Sequence, residues 1–94
     1  MDGMIGKDDI LSFDFYKKGK PFFGSFNGMR YRIVKEKAEE EGDPDRFRID
    51  TWPEPLGFDA TDNDRITTQR MPFTPDGYNE VLKYLNDIWD YYKM

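Results

Sequence analysis

Residues 22–36 read FFGSFNGMRYRIVKE, and they decide the fold. Asn27-Gly28 lies between two alternating runs, the sequence signature of a tight two-residue hairpin turn of type I′. If Phe26 faces Met29, then Gly24 opposes Tyr31 and Phe22 opposes Ile33. Phe22, Phe26, Met29, Tyr31 and Ile33 then share one face, and an aromatic ring lies over the bare backbone of Gly24. Phe23, Ser25, Arg30 and Arg32 take the other face.

Charge places the next strand. RYRIVKE and RFRIDTW flank the loop KAEEEGDPD. Pairing Glu36 with Arg46 sets Arg32 opposite Asp50 and Arg30 opposite Trp52, so opposite charges meet twice and Arg30 is placed to stack on the indole. Ile33 then faces Ile49 and Tyr31 faces Thr51. A slip of one residue would send Phe47 and Ile49 to solvent, which selects this register. The two hairpins share residues 29–36 and form a meander.

Outward from this centre the signals vary. ILSFDFY (10–16) alternates Leu11, Phe13 and Phe15 against Ser12 and Asp14, the pattern of a half-buried strand. Residues 1–9 have no period and read as a loose lead-in. TWPEPLGFDATDND (51–64) is irregular. Pro53 and Pro55 end the strand, Leu56 and Phe58 are expected to pin the loop to the core, and Thr61 is expected to cap a short helical turn. RITTQRMPF (65–73) reads as a further strand. TPDGYNEVLKYLNDIWDYYKM is the strongest element, with Thr74 as N-cap and Pro75 at the first helical position. Tyr78, Val81, Leu82, Leu85, Ile88, Trp89 and Tyr92 form an apolar stripe at helical spacing. The architecture expected is α+β: an antiparallel meander sheet of four to five strands with one C-terminal helix packed on one face, in a single domain over residues 1–94.

Composition narrows the chemistry. The 94 residues are 37% hydrophobic and 17% aromatic, so a few large rings must supply the core. There is no cysteine and no histidine. Disulfides, thiol catalysis, thiolate metal sites and imidazole general bases are excluded together, which points away from an enzyme. No apolar run approaches the ~20 residues of a membrane span, and no signal-peptide pattern opens the chain, so a cytoplasmic protein is expected. The net charge is −5, unevenly spread. Residues 36–64 hold three basic and eleven acidic groups, whereas residues 1–35 hold seven basic and four acidic ones. That balance disfavours direct binding to duplex nucleic acid and favours a basic protein partner.

Candidate site residues follow from these patterns. Arg30, Trp52, Glu54, Asp59, Asp62 and Asp64 form the expected partner-binding set: an arginine and an indole on the outer face, beside an acidic loop. Asp59, Asp62 and Asp64 do not follow the spacing of a calcium loop, and neither metal nor cofactor is expected. Glu39, Glu40 and Glu41 sit on an expected hairpin tip, where carboxylates are solvated rather than tuned for catalysis. The alternative is a small-ligand or nucleotide site around Arg30, Tyr31 and Trp52, with weak transferase activity. Tyr84, Tyr91 and Tyr92 surround the helix end and pack on the N-terminal segment or mark a homodimer surface, so monomer and homodimer both stay open.

The strings FNGMRYRI, WPEPLGFDAT and MPFTPDGYNEVLKYLND resemble a group of short uncharacterised proteins of Firmicutes, some carried by mobile elements, over roughly Phe15 to Trp89. Some similar sequences are labelled acetyltransferases of the GNAT type. That family holds the pyrophosphate of coenzyme A with an R/Q-x-x-G-x-G/A loop between a strand and a helix, and this chain contains no such loop. The resemblance implies a small stand-alone domain, phage-related, and assigns no functional residue. The expected function is therefore a non-enzymatic protein-interaction domain, an inhibitor or adaptor encoded by a mobile element.

Overall fold

The computed structural model describes residues 5–6, 10–26, 28–38, 40–54 and 57–92. Four strands form one antiparallel sheet in the order β1-β2-β3-β4: β1 Phe22–Phe26, β2 Met29–Glu36, β3 Arg46–Pro53 and β4 Thr67–Pro72. A one-turn helix α1, Phe13–Tyr16, precedes the sheet, and a four-turn helix α2, Pro75–Trp89, follows it. The fold is an α+β meander with one C-terminal helix.

Both expected registers are present. Phe26 pairs with Met29, Gly24 with Tyr31 and Phe22 with Ile33. Glu36 pairs with Arg46, Arg32 with Asp50 and Arg30 with Trp52. Gly28 has a φ of +98°, in the left-handed region a type I′ turn needs, while Asn27 lies outside the described residues. A Cβ on Gly24 would come within 2.7 Å of the Tyr31 ring, so the aromatic side chain fills the space a side chain would need. β3 ends at Pro53, and its pairing with β4 stops earlier, at Thr51 opposite Thr67.

The core lies between the inner face of the sheet and α2. Met29, Ile33, Phe47, Ile49, Val81 and Leu85 are fully buried, with Tyr31 and Tyr78 nearly so. α2 begins as its sequence requires: Thr74 Oγ1 accepts from the Gly77 N–H at 2.9 Å, and Pro75 stands at the first position, where no N–H is wanted. Gly77 has a second reason to be glycine. A Cβ there would lie 1.7 Å from the Pro72 carbonyl oxygen, so the start of α2 rests directly on the end of β4.

One expectation for the N-terminal segment is corrected. Residues 10–16 are not a strand. Leu11 takes a φ of +66°, Ser12 is extended at the N-cap position, and Phe13–Tyr16 makes one helical turn. Helical spacing brings Phe13 and Tyr16 to a shared face, and both rings meet Phe47, at 5.9 and 5.7 Å. Phe13 also stacks on Phe73 at 4.8 Å. The Tyr16 hydroxyl donates to the Ile10 carbonyl and the Tyr78 hydroxyl to the Leu11 carbonyl, which satisfies backbone oxygens that a ladder would otherwise take. Burial pushes the Tyr16 hydroxyl far above its usual pKa, so it stays a donor. The lead-in is also tied down at one point. Ile5 is buried, its N–H donates to Asn86 Oδ1 at 2.7 Å, and its carbonyl accepts from Asn86 Nδ2 at 3.0 Å.

The three tyrosines at the helix end separate. The Tyr92 hydroxyl lies 3.2 Å from Thr51 Oγ1 on the sheet, Tyr84 packs against the core, and Tyr91 is 86% exposed. No helix among the described residues is long and apolar enough to cross a membrane.

Candidate functional site

The outer face of the sheet carries the sequence-predicted residues. Period-two alternation sends Arg30, Arg32 and Glu36 of β2 outward, with Arg46, Arg48, Asp50 and Trp52 of β3 and Thr68 and Arg70 of β4. Five guanidiniums and two carboxylates share this surface, a surplus of three positive charges on a chain whose net charge is −5.

Asp50 organises one end of it. The residue has no solvent exposure, yet its carboxylate is well supplied with donors. Arg32 Nη1 reaches Oδ2 at 3.0 Å, while Arg48 Nε and Thr68 Oγ1 reach Oδ1 at 3.3 and 2.6 Å. A buried carboxylate is tolerated only when paired and hydrogen-bonded in this way. Glu36 organises the other end. Arg46 Nη2 and Arg70 Nε both donate to its Oε1 at 2.8 Å, and Arg48 Nη1 lies 4.0 Å from its Oε2. The hydrogen bond from Arg70, reinforced by the neighbouring positive charges, holds the Glu36 carboxyl below the usual glutamate range.

The loop after β3 folds back over this face. Two single 3-10 turns, Phe58–Ala60 and Asn63–Arg65, carry it from β3 to β4. Phe58 covers Trp52, ring centres 5.3 Å apart, and leaves the indole only 2% exposed. The Arg32 guanidinium lies 5.1 Å from the Phe58 ring and 6.0 Å from Phe23, which is 54% exposed. Phe58 therefore pins the loop as expected, but to the outer face rather than the core. Pro55 and Leu56 lie outside the described residues, as does Glu39. Thr61 does not cap a helical turn. It is buried, and its hydroxyl donates to the Gly57 carbonyl at 2.7 Å, while Asp62 takes the N-cap position of the second turn without a side-chain cap bond.

The six candidate residues consequently divide. Arg30 is half-buried opposite Trp52, and its buried Nε meets no acceptor among the described residues. Trp52 is covered, so it supports the loop instead of offering an exposed ring. Glu54 is engaged within the chain: its Oε2 accepts from the Gly28 N–H at 2.8 Å, and its own N–H donates to the Gly28 carbonyl at 3.1 Å. It locks the β1–β2 turn onto the end of β3. Asp59, Asp62 and Asp64 are exposed and make no salt bridge to any described residue. They do not converge as a three-carboxylate metal cluster among the described residues.

The expected grouping of Arg30, Tyr31 and Trp52 into one ligand site does not form. Tyr31 points inward over Gly24, whereas Trp52 points outward under Phe58. The acidic middle segment is divided as well. Glu40, Glu41 and Asp43 lie in the β2–β3 loop, and Asp59 to Asp64 lie beyond the other end of β3, which is roughly 23 Å long. Arg70 and Thr68 were beyond reach of the sequence reading, because no turn chemistry or charge pairing sets the β3–β4 register in advance. No family model, no curated protein and no solved structure matches the chain.

Proposed function

We propose that the chain is a small non-enzymatic interaction domain that docks a protein partner carrying basic groups. The contact surface is the 57–64 loop, with Asp59, Asp62 and Asp64 as the contacting charges and Trp52 and Phe58 as the clamp that holds them. The observation that supports this most is the combination of three exposed carboxylates that make no salt bridge to any described residue with a loop already fixed by aromatic packing. A preordered loop loses little conformational entropy on binding, and unpaired surface charges contribute chiefly to encounter rate and partner selection. In this reading the chain acts as an adaptor or inhibitor rather than as a catalyst.

The test compares cross-linked partners of the wild-type chain with those of an Asp59→Asn, Asp62→Asn, Asp64→Asn variant at low and high salt. The wild type is expected to capture a basic partner that is released as salt rises, and the variant to lose it. Recovery of the same partner by the variant, with the same salt response, overturns the reading.

A further inference from the structure

β4 is the last strand in the sheet order, and no strand pairs with its far side among the described residues. An edge strand is a template for another strand unless its backbone groups are blocked. The ladder fixes which groups face the open side, because antiparallel pairs alternate between those that exchange hydrogen bonds and those that do not. The Phe73 N–H donates to the Asp45 carbonyl at 3.1 Å, one step beyond the Pro72–Arg46 pair. Met71, Gln69 and Thr67 therefore bond back to β3, while Thr68, Arg70 and Pro72 turn their backbone groups to the open edge. The Arg70 N–H agrees: it donates to the Gln69 side chain, Oε1 at 3.1 Å, and not to β3.

Both ends of this edge are closed. Pro72 has no N–H, and its carbonyl accepts from the Thr74 N–H at 2.9 Å. The Ile66 N–H donates to the Asn63 carbonyl at 3.1 Å. Between them, Thr67, Thr68, Gln69 and Arg70 are all exposed, on both faces of the sheet. This short segment is self-complementary in one register. With Gln69 opposite Gln69 of a second copy, Thr68 of each faces Arg70 of the other, and each such pair can exchange both of its N–H···O bonds. Setting Arg70 opposite Arg70 would join like charges and place Thr68 against Pro72, which cannot donate. Setting Thr68 opposite Thr68 would place Arg70 against Ile66, whose N–H is already used. A shift by one residue would turn one copy's inner face to the other's outer face. In the remaining register the half-buried Met71 lies opposite Thr67 of the second copy, beside a groove of ≈190 Å³ that Met71 forms with Lys83 and Tyr84 of α2.

We propose that β4 pairs with β4 of a second copy of this chain, antiparallel about a two-fold axis at Gln69, so that two sheets join into one. The Gln69 side chain leaves the Arg70 N–H and meets its counterpart across the axis. Because the same patch serves both copies, the contact closes at a dimer through this edge. The contact is short, so the dimer is weak and dissociates on dilution. It uses none of Asp59, Asp62 and Asp64 and does not depend on the reading above.

The experiment is sedimentation of the full chain from about 10 μM to about 1 mM, the range of weak association. The wild type is expected to pass from monomer to dimer, and the Thr68 and Arg70 amides to exchange more slowly at the high end. Gln69→Lys and Gln69→Glu change an exposed side chain and put like charges face to face across the axis. Each alone should weaken dimerisation by about tenfold or more. Mixing the two variants sets lysine opposite glutamate and should restore the dimer, an outcome that requires position 69 to face itself. A wild type that stays monomeric at about 1 mM overturns the proposal. So does a dimer that either variant leaves intact, or a mixture that fails to recover it.

Discussion

Asp50 is a carboxylate without solvent contact on a sheet face where arginines outnumber acids. Its three donors come from β2, β3 and β4, so this one residue couples three strands. Asp50→Asn keeps the shape and removes the charge, and should lower stability by about 1.5–3 kcal/mol in urea denaturation, the range for hydrogen bonds to charged groups. Glu36 gives a pH signature. Its folded pKa lies below the ordinary glutamate value of about 4.3, so the folded state binds its proton less readily than the unfolded state does. Its contribution is complete above that value and is lost as pH falls through the lowered one. The stability gap between wild type and Glu36→Gln should therefore be constant near neutrality and close below about pH 4. Gly77 is a steric constraint rather than a flexible point. Gly77→Ala drives a methyl into the Pro72 carbonyl and should cost about 1–3 kcal/mol, where helix propensity alone would favour alanine.

Elements differed in how plainly they announced themselves. β1, β2 and β3 were legible to the register, because Asn27-Gly28 fixes one pairing and the Arg32–Asp50 and Glu36–Arg46 charges fix the other. α2 was legible from Thr74, Pro75 and the apolar stripe. α1 was not. Alternation over seven residues fits a strand, but the fully buried positions are Ile10 and Tyr16, with Phe13 and Phe15 only partly buried against the core. What settles it is tertiary: Phe47, Phe73 and Tyr78 offer a ring-lined recess on the inner face. The 57–66 loop was legible as irregular but not as a cover for Trp52, since its contact partners lie on a distant strand. Phe58→Ala in a Trp89→Phe background should shift Trp52 emission to the red and lower stability by about 1–3 kcal/mol, less than for a fully buried ring. Unchanged blue emission would show that Phe58 does not shield Trp52.

Across the molecule, charge is sorted in a way that sums along the chain conceal. The acidic middle third folds so that its two ends carry exposed carboxylates, while arginines from β2, β3 and β4 gather on the sheet between them. A run of sequence net charge reads loops and strands together, and here they face different ways. Thus Asp59, Asp62 and Asp64 were visible as candidates from composition, whereas the bond from Arg70 to Glu36 needed the third strand pairing to exist. The meander has a further consequence in time. Sequential hairpins assemble from near neighbours and form early, but the ring-rich inner face they create has no cover until Tyr78, Val81 and Leu85 have been made. The Ile5–Asn86 tie closes across 81 residues and must form after α2 has docked. A chain shortened before Pro75 should therefore form sheet-like, sticky aggregates rather than a smaller folded domain, because synthesis delivers the adhesive surface before its shield.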